Sequence, residues 1–457
     1  MLTPWQLVTT YDGAMGTTTR PEWIGFDEPD GYLAAALPVA ALAQGSVAAL
    51  AASVNRILIR SGGTARTWRM SMERIAASFT GDRMMRVGGN PVEGFAELSG
   101  FFRADDGWVR THGNYPHHRL RLLKALGLPE GGDRAAVTER VARMSARDVE
   151  DRAAAAHAIA VRVRDEAEWS ASAPGRALAH EPLVELHVSS SAPASPRRRT
   201  VDPELPLAGI RVLDFTRVIA GPVATRALAL LGAEVLRVDP PQLPELPLQH
   251  VETGQGKWSA LLDLGTDTGL AQANELLSTA DILVTGYRPG AIERYGFEKP
   301  PGLVQATVGA WGTSGPWAHR RGFDSIVQAA SGIALVEGDH GHPGALPAQA
   351  LDHASGYLLA AAAVDALSAR DADGRGRDVN VCLAGTARLL LQAVRGDRPA
   401  VLRQPTESTT VVHGTYRTAR PPLPEYGDYA WPAHDWGSDT PQWHPRDATL
   451  LHNADKG

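Results

Sequence analysis

The chain has 457 residues, of which 44% are hydrophobic, and a formal net charge of −6 with acidic and basic residues interspersed. A chain of this length and apolar content can bury a large core in two or more domains, which excludes an intrinsically disordered protein. The charge balance provides no basic face for a polynucleotide, so we expect no nucleic-acid partner.

The N-terminal region carries no recognisable targeting signal. Residues 1–16 lack the basic start and apolar centre of a signal peptide, and the single cysteine, Cys382, cannot form an internal disulfide. We therefore expect a cytoplasmic protein and interpret Cys382 as a buried packing residue. The apolar stretch 33–59 is interrupted by Pro38, Gln44 and other polar residues, which indicates a pair of buried helices and no membrane span.

Two distant segments of the chain are similar to each other. SVAALAASVNRILIRSGGTARTWRMSM, residues 46–72, matches GYLLAAAAVDALSARDADGRGRDVNVCL, residues 356–383, so that Val54 corresponds to Val364 and Arg60 to Arg370. Alanine-rich helices resemble one another readily, and chance similarity is the alternative interpretation. The shared order of helix, turn and strand favours an internal duplication.

The middle of the chain contains a mixed segment and then a linker. GFFRADDGWVRTHGNYPHHRLRLLKALGLP, residues 100–129, precedes a predicted polar helix over residues 135–169. Its histidines, His112, His117 and His118, have no carboxylate or cysteine at metal-ligand spacing, so we expect a polar cluster near a turn. Residues 189–206 are rich in Ser, Pro and Arg without periodicity, which predicts a linker that includes the solvated arginine run at 197–199.

A strand, a turn, a helix and a second strand are predicted within residues 207–239. The apolar run 210–215 is followed by Ala220-Gly221-Pro222, which places proline in the first turn of an amphipathic helix. The helix N-terminus and the crevice beyond the strand's carboxyl end favour an anionic ligand. The same local pattern also occurs in strand–turn–helix units that bind nothing.

Four ordered blocks extend this pattern: VLDFTRVIAGP, LLGAEVLRVD, GKWSALLDL and DILVTGYRPGAIERYGF. Together they resemble the family III CoA-transferases, which include formyl-CoA and carnitine CoA-transferases. The resemblance covers residues 207–391, and residues 94–186 resemble the family's small domain. It implies an α/β fold with a Rossmann-like large domain built on a parallel sheet and a smaller α+β domain.

The resemblance gives the predicted domain organisation. The units are a degenerate partial large-domain copy (1–90), a small domain (94–188), the linker (189–206), a CoA-binding catalytic large domain (207–397) and a C-terminal arm (398–457). In the degenerate copy, the position that corresponds to Asp352 falls on Leu42 or Ala43. Because neither is a carboxylate, we expect one active site per chain.

The resemblance implies that Asp352, just before a long apolar helix, is a nucleophile that attacks the acyl-CoA thioester. A carboxylate suits this role because it is ionised at neutral pH and its acyl derivatives stay reactive. Asp324 occupies the place of a second acidic group that orients substrate or shifts the pKa of Asp352. The alternative interpretation is that Asp352 is the N-cap of its helix and Asp324 a cap at the surface.

The resemblance also assigns positions around coenzyme A. Seven residues match them: the nucleotide-wrapping loop Arg217, Val218, Ile219 and Ala220, and the adenosine and phosphate contacts Tyr287, Ala291 and Arg294. A guanidinium can grip a phosphate through paired donors, and an aromatic ring can stack on adenine. For Arg294 the alternative is a solvated helix charge, and for Tyr287 a half-buried packing ring.

We therefore predict a CoA-transferase that takes an acyl-CoA and a carboxylic acid, with no metal and no membrane partner. The resemblance implies a homodimer, with interlocked chains as one arrangement. An acyl-CoA racemase or dehydratase-like enzyme is a second candidate, although Phe323 stands where the racemases carry an acid–base histidine. His353 is a poor substitute, because neighbouring residues on a helix point in different directions.

A catalytically silent CoA-binding scaffold is the third candidate, and three departures from the family support it. The segment 239–256 is short and rich in proline, and no glycine-rich loop follows residue 391. The usual basic pair near the CoA phosphates is reduced to Lys257-Trp258.

Overall fold

The computed structural model describes residues 2–92, 94–189, 193–196, 199–396 and 402–444. The helices are α1 (Pro4–Met15), α2 (Val39–Arg60), α3 (Met72–Phe79), α4 (Gly81–Met84), α5 (Pro116–Leu126), α6 (Arg134–Val141), α7 (Ala146–Ala155), α8 (Glu166–Ala171), α9 (Ala173–Leu178), α10 (Ala220–Leu230), α11 (Pro247–Thr253), α12 (Asp267–Ser278), α13 (Asp324–Ser331), α14 (Ile333–Val336), α15 (Ala350–Asp373) and α16 (Leu383–Leu391). The strands are β1 (Ile24–Phe26), β2 (Trp68–Met70), β3 (Arg86–Val87), β4 (Asn90–Pro91), β5 (Gly100–Arg103), β6 (Trp108–Thr111), β7 (Ala160–Arg162), β8 (Glu185–Val188), β9 (Arg211–Phe215), β10 (Glu234–Asp239), β11 (Trp258–Leu261), β12 (Ile282–Thr285), β13 (Val304–Gly309), β14 (Arg377–Cys382), β15 (Thr410–His413) and β16 (Tyr416–Ala419).

The largest sheet has seven strands in the order β11-β10-β9-β12-β13-β14-β8. Six of them run parallel, and β8 pairs antiparallel with β14 at one edge. β10 and β12 are buried along their whole length, as is typical of parallel strands covered by helices on both faces. The predicted α/β fold with a parallel sheet is confirmed. Because the chain order diverges between β9 and β12, the crevice at their carboxyl ends is a topological switch point.

Long buried helices cover this sheet. α15 packs against α2 and α10, and α1 packs on α2. Both copies of the predicted repeat fold as a long helix followed by a strand, α2 before β2 and α15 before β14. The stretch 33–59 forms one helix that begins at Val39, so the predicted pair of helices is wrong. Pro38 precedes that helix, and a proline both lacks an N–H donor and disfavours helical backbone in the residue before it.

α2 has the length and apolar character of a membrane-spanning helix. Its most apolar 18-residue window has a mean hydropathy of 1.4, and 89% of that window is buried inside the protein. This burial accounts for the apolar sequence as part of a protein core.

A second, smaller sheet lies in the predicted small-domain region. β5, β6 and β7 form a three-stranded antiparallel sheet, and α5, α6 and α7 pack with it around a separate apolar cluster. The polar helix predicted over 135–169 is wrong, because this segment contains α6, α7, β7 and α8. Ser145 caps α7 and Asp165 forms a capping box with α8, so local caps restart the helix where composition alone suggests continuity.

The remaining predictions concern the linker and the C-terminal arm. The described residues between 189 and 206 contain no helix or strand, while residues 402–444 include β15 and β16, which extend a four-stranded sheet with β3 and β4. The arginines at 197 and 198, residues 190–192 and the arm's residues 398–401 and 445–457 lie outside the described residues. β8, the end of the predicted small domain, pairs with the large sheet, and the domain boundaries remain predictions.

Candidate functional site

A pocket of about 500 Å³ lies at the carboxyl ends of β9, β12, β13 and β14. Eight of the nine predicted site residues line it: Arg217, Val218, Ile219, Ala220, Tyr287, Ala291, Arg294 and Asp352. They come from the loop after β9, the loop after β12 and the start of α15. The parallel strands end at one edge of the sheet, which explains how residues far apart in sequence share a single pocket.

The loop after β9 is held in an unusual conformation. Val218 has a φ of 72°, in the left-handed region that β-branched residues rarely adopt. Its backbone N–H donates to Glu245 Oε2 at 3.1 Å, and Glu245 also pairs with Arg237 at 2.8 Å. Burial opposes ionisation of Glu245, but Arg237 and Arg217 lower its pKa to about 2. A charged, buried carboxylate therefore fixes a strained backbone at the pocket wall.

The same loop is anchored from below by a second buried carboxylate. Asp214, on β9, accepts hydrogen bonds from the backbone N–H of Thr216 at 3.0 Å and from Thr225. Lys257 Nζ lies 3.2 Å from Asp214 Oδ2 and is 2% exposed. Lys257, the lysine that remains of the family's basic pair, does not line the pocket, and its charge lies inside the protein against Asp214.

The loop after β12 contributes one half-buried ring and one exposed charge. Burial, together with the charge of Asp239, raises the pKa of Tyr287, so the phenol is neutral. Arg294 is exposed and donates to Tyr295 Oη at 2.8 Å. Tyr287 packs partly buried against an apolar cluster and Arg294 is exposed, as the alternative interpretations also expect, so the ligand contacts of both residues remain predictions.

Asp324 and Asp352 lie next to each other at the start of α15. Asp324 is fully buried, and its Oδ2 accepts the backbone N–H groups of Leu351 at 2.8 Å and Asp352 at 3.0 Å. It thereby satisfies free N–H groups at the N-terminus of α15 from a different helix, and it contacts Gln328 in its own. The alternative of a surface cap is wrong for Asp324, because its side chain is 0% exposed.

Asp352 is the third residue of α15, and Gln349 is the N-cap, so the N-cap alternative is wrong as well. Its carboxyl group lines the pocket, and within the described ranges no side chain or backbone group donates a hydrogen bond to it. Asp324 does not line the pocket, and it is connected to the pocket residue Asp352 by the hydrogen bond from the Asp352 backbone N–H. The two carboxyl groups are therefore held differently. Hydrogen-bond donors hold the carboxylate of Asp324, whereas the position of Asp352 in the first turn of α15 orients its side chain.

Burial raises the pKa of both carboxyl groups. For Asp324 the N–H donors oppose this effect, and its pKa rises to about 6. The pKa of Asp352 is also raised well above its ordinary value, first by burial and then by the nearby charge of Asp324. Both carboxyl groups therefore resist ionisation, and Asp324 is the one whose charged form is stabilised by backbone N–H donors.

His353 does not complete this pair. It is 4% exposed and stacks on Phe79 with ring centroids 5.1 Å apart, on the side of the core. Burial lowers its pKa to about 3. It is a neutral packing residue, as the expected change of direction along the helix indicates.

Sequence reasoning missed several pocket residues, and α5 supplies the most notable of them. Tyr115, His117 and His118 line the pocket from the N-terminus of this helix. The cluster of aromatic and imidazole side chains on either side of Pro116 was the available signal, but nothing in the sequence indicated which strand ends it would face. No group of His, Cys, Asp or Glu in the described part of the chain is arranged to hold a metal ion.

Arginines form a positive region around the same pocket. Arg288 and Arg321 line it, and neither has a carboxylate partner in the part of the chain that the structure describes. Burial and the charges of Arg288 and Arg121 lower the pKa of Arg321 to about 10. Uncompensated guanidinium groups that repel one another favour an anionic ligand, and phosphate oxygens accept their paired donors.

Cys382 also lines the pocket and is only partly buried, so its interpretation as a core residue needs correction. Its Sγ accepts the N–H of Gly385 at 3.3 Å. Burial, followed by the charges of Glu181 and Glu185, raises the pKa of the thiol to about 12. The side chain is therefore a neutral thiol and a weak nucleophile.

Residues 207–421 match the family model described as CoA-transferase family III. An acetyl-coenzyme A transferase of Hypoxylon pulicicidum is 32% identical over 220 residues, which are 45% of this chain and 35% of the relative. A probable fatty acyl-CoA transferase of Mycobacterium tuberculosis is 35% identical over 208 residues, 41% of this chain and 53% of the relative. A formyl-CoA:oxalate CoA-transferase of Streptomyces avermitilis is 31% identical over 254 residues, 52% of this chain and 56% of the relative. The chain thus spans between 35% and 56% of the length of these curated relatives.

Proposed function

We propose that this chain, whose residues 207–421 match the CoA-transferase family III model, moves coenzyme A from an acyl-CoA to a carboxylic acid through Asp352. One observation carries the proposal. The Asp352 carboxyl group, free of any hydrogen-bond donor within the described ranges, lines the same pocket as the loops after β9 and β12. A nucleophile and a phosphate-binding region thus share one cavity.

The reaction proceeds in two balanced halves. An Asp352 oxygen attacks the thioester carbonyl carbon and the carbon–sulfur bond breaks. CoA leaves as a thiolate, and a mixed anhydride of Asp352 and the acyl group remains. The thiolate then attacks the aspartyl carbonyl carbon, which releases the donor carboxylate and leaves an aspartyl-CoA thioester. An incoming carboxylate repeats these steps in reverse order, restores the Asp352 carboxylate and leaves as the new acyl-CoA. No net proton or electron is exchanged.

Asp324 has a positioning role in this proposal. By accepting the N–H groups of Leu351 and Asp352, it fixes the first turn of α15 and the direction of the Asp352 side chain. Burial keeps the pKa of Asp352 high, and the negative charge of Asp324 adds to this effect. Ionisation of Asp352 is therefore a prerequisite for attack, and a carboxylate of high pKa is a stronger nucleophile once it is ionised.

In this proposal the CoA moiety lies at the end of the pocket that carries the positive region. Arg288 and Arg321 are suited to the phosphates, and Arg294 and Tyr287 to the nucleotide. Arg217 is less available, because it pairs with Glu245 at 3.5 Å and donates to Pro244 O at 2.8 Å. Among the relatives, acyl-CoA donors and a formyl-CoA:oxalate pair are named, which supports a small or fatty carboxylic acid as acceptor.

The homodimer implied by the resemblance, with or without interlocked chains, remains a prediction. In this chain α5 already supplies Tyr115 and His118 to the pocket. A single chain therefore contains groups from both the large sheet and the predicted small domain. Light scattering coupled to size-exclusion chromatography distinguishes a monomer from a dimer.

Steady-state transfer tests the proposal. Purified protein is given a set of acyl-CoA donors and carboxylic acids, and new acyl-CoA is measured by mass spectrometry. We expect transfer with ping-pong kinetics, no transfer by Asp352→Asn, and full activity in the control Asp339→Asn, whose side chain is 75% exposed. Deuterium incorporation at the acyl α-carbon without transfer would replace the proposal with a racemase, and CoA binding without either reaction with a scaffold.

A further inference from the structure

His118, at the start of α5, is held rigidly at the pocket wall by aromatic neighbours. Its ring lies edge-on to Tyr115 and Phe323, with centroids 5.3 Å and 5.8 Å away, and 4.1 Å from the ring of His117. Phe323 is itself stacked flat on His112 at 3.9 Å. Because Phe323 directly precedes Asp324, these contacts connect α5 to the carboxyl pair at the start of α15.

The hydrogen-bonding capacity of His118 is unused. The residue is 6% exposed and lines the pocket that contains Asp352. Its Nδ1 is buried without a hydrogen-bond partner, and among the residues that the structure describes no side-chain hydrogen bond of His118 is formed. An imidazole always offers at least one donor, and a buried polar group without a partner costs about 1–3 kcal/mol. Such a group fits a site that a ligand completes.

We propose that the His118 imidazole donates a hydrogen bond to the acyl oxygen that becomes negatively charged when Asp352 attacks the thioester. This inference rests on the proposed CoA transfer and adds a catalytic residue from the predicted small domain. The ring acts as a neutral donor and keeps its proton throughout. Burial, with His117, His112 and Arg321 as further causes, lowers its pKa to about 2, which is consistent with a neutral ring at all physiological pH values.

The test compares two variants of similar size, His118→Gln and His118→Met. Both remove the ring and its aromatic contacts, but only glutamine retains an N–H donor, so the difference between them isolates the hydrogen bond. His187→Met, on an exposed residue of β8 that does not line the pocket, is the matched control. The rate of covalent adduct formation on Asp352 with acetyl-CoA is measured in single-turnover reactions by intact-protein mass spectrometry, and the thermal midpoint confirms folding.

We expect His118→Met to slow adduct formation by about 10²–10³-fold, the usual effect of removing one oxyanion donor. His118→Gln should recover at least about tenfold of that loss, with the KM for acetyl-CoA little changed in both variants. Equal rates in the two variants, whether slow or normal, would overturn the inference and leave the proposed function intact. Absence of any adduct in the wild-type protein with every thioester would overturn both.

Discussion

Asp324→Asn isolates the effect of one buried charge on the nucleophile. In the wild-type protein Asp324 accepts the N–H groups of Leu351 and Asp352 through a single oxygen, Oδ2. An asparagine oxygen can accept both bonds in the same place, so the first turn of α15 keeps its support. The substitution removes the negative charge beside Asp352, which is the second cause, after burial, of its raised pKa.

The size of the effect follows from these contacts. Removing a like charge at close range lowers the pKa of Asp352 by roughly 1–2 units, and each unit corresponds to about 1.4 kcal/mol. The asparagine amide then faces Gln328 Nε2, and Gln328 cannot simply turn, because its Oε1 accepts Leu346 N at 2.9 Å. Loss of that buried hydrogen bond costs about 1–3 kcal/mol of unfolding free energy.

The assay is the rate of adduct formation on Asp352 as a function of pH, with urea unfolding in parallel. The rate should rise with pH as Asp352 loses its proton. In Asp324→Asn the rising limb should move to lower pH by about 1–2 units, although the protein is less stable. Asp339→Asn, on the surface, should leave the profile unchanged. An unchanged midpoint, or one displaced to higher pH, would refute the assigned coupling between the two carboxyl groups.

Three further predictions concern the backbone, the positive region and the carboxyl pair. Val218→Gly should raise the free energy of unfolding, measured in urea, by about 1 kcal/mol, because it relieves a φ of 72°. The control Ile219→Gly, at a φ of −121°, should lower the free energy of unfolding. A destabilised Val218→Gly would argue against backbone strain. Arg288→Gln should weaken CoA binding in calorimetry about tenfold or more and make it less sensitive to salt, and an unchanged affinity would place the phosphates elsewhere. Wild-type stability should fall as pH rises from the ordinary aspartate value of about 4 through the raised pKa of Asp352, because the folded state keeps a proton that the unfolded state releases. The advantage of Asp352→Asn in unfolding free energy should therefore grow as pH rises above the ordinary aspartate value of about 4, and an advantage that shrinks as pH rises would contradict the raised pKa.

The sequence was informative where local pattern and order coincide. The strand 210–215 and the helix whose first turn contains Gly221 and Pro222 could be predicted because an apolar run, a proline and an amphipathic period follow one another directly. Parallel strands then bring their loops to one edge of the sheet, so the loops after β9 and β12 and the start of α15 could be expected to share a pocket.

The parts that could not be predicted depend on contacts between distant segments. The sequence shows Lys257 only as the remainder of a basic pair, and the need to neutralise a fully buried Asp214 determines where its charge lies. Asp324 looked like a local cap, and only the packing of α13 against α15 shows that it caps another helix. His118 reaches the pocket through the placement of α5, which no periodicity in the sequence encodes.

The central claim is that Asp352 becomes covalently acylated. The most direct measurement is intact-protein mass spectrometry after incubation with a panel of acyl-CoAs, followed by trapping with hydroxylamine or borohydride and peptide mapping. The account predicts an adduct that maps to Asp352 and is absent from Asp352→Ala. An adduct on another residue, or none with any thioester despite measurable CoA binding, would contradict it.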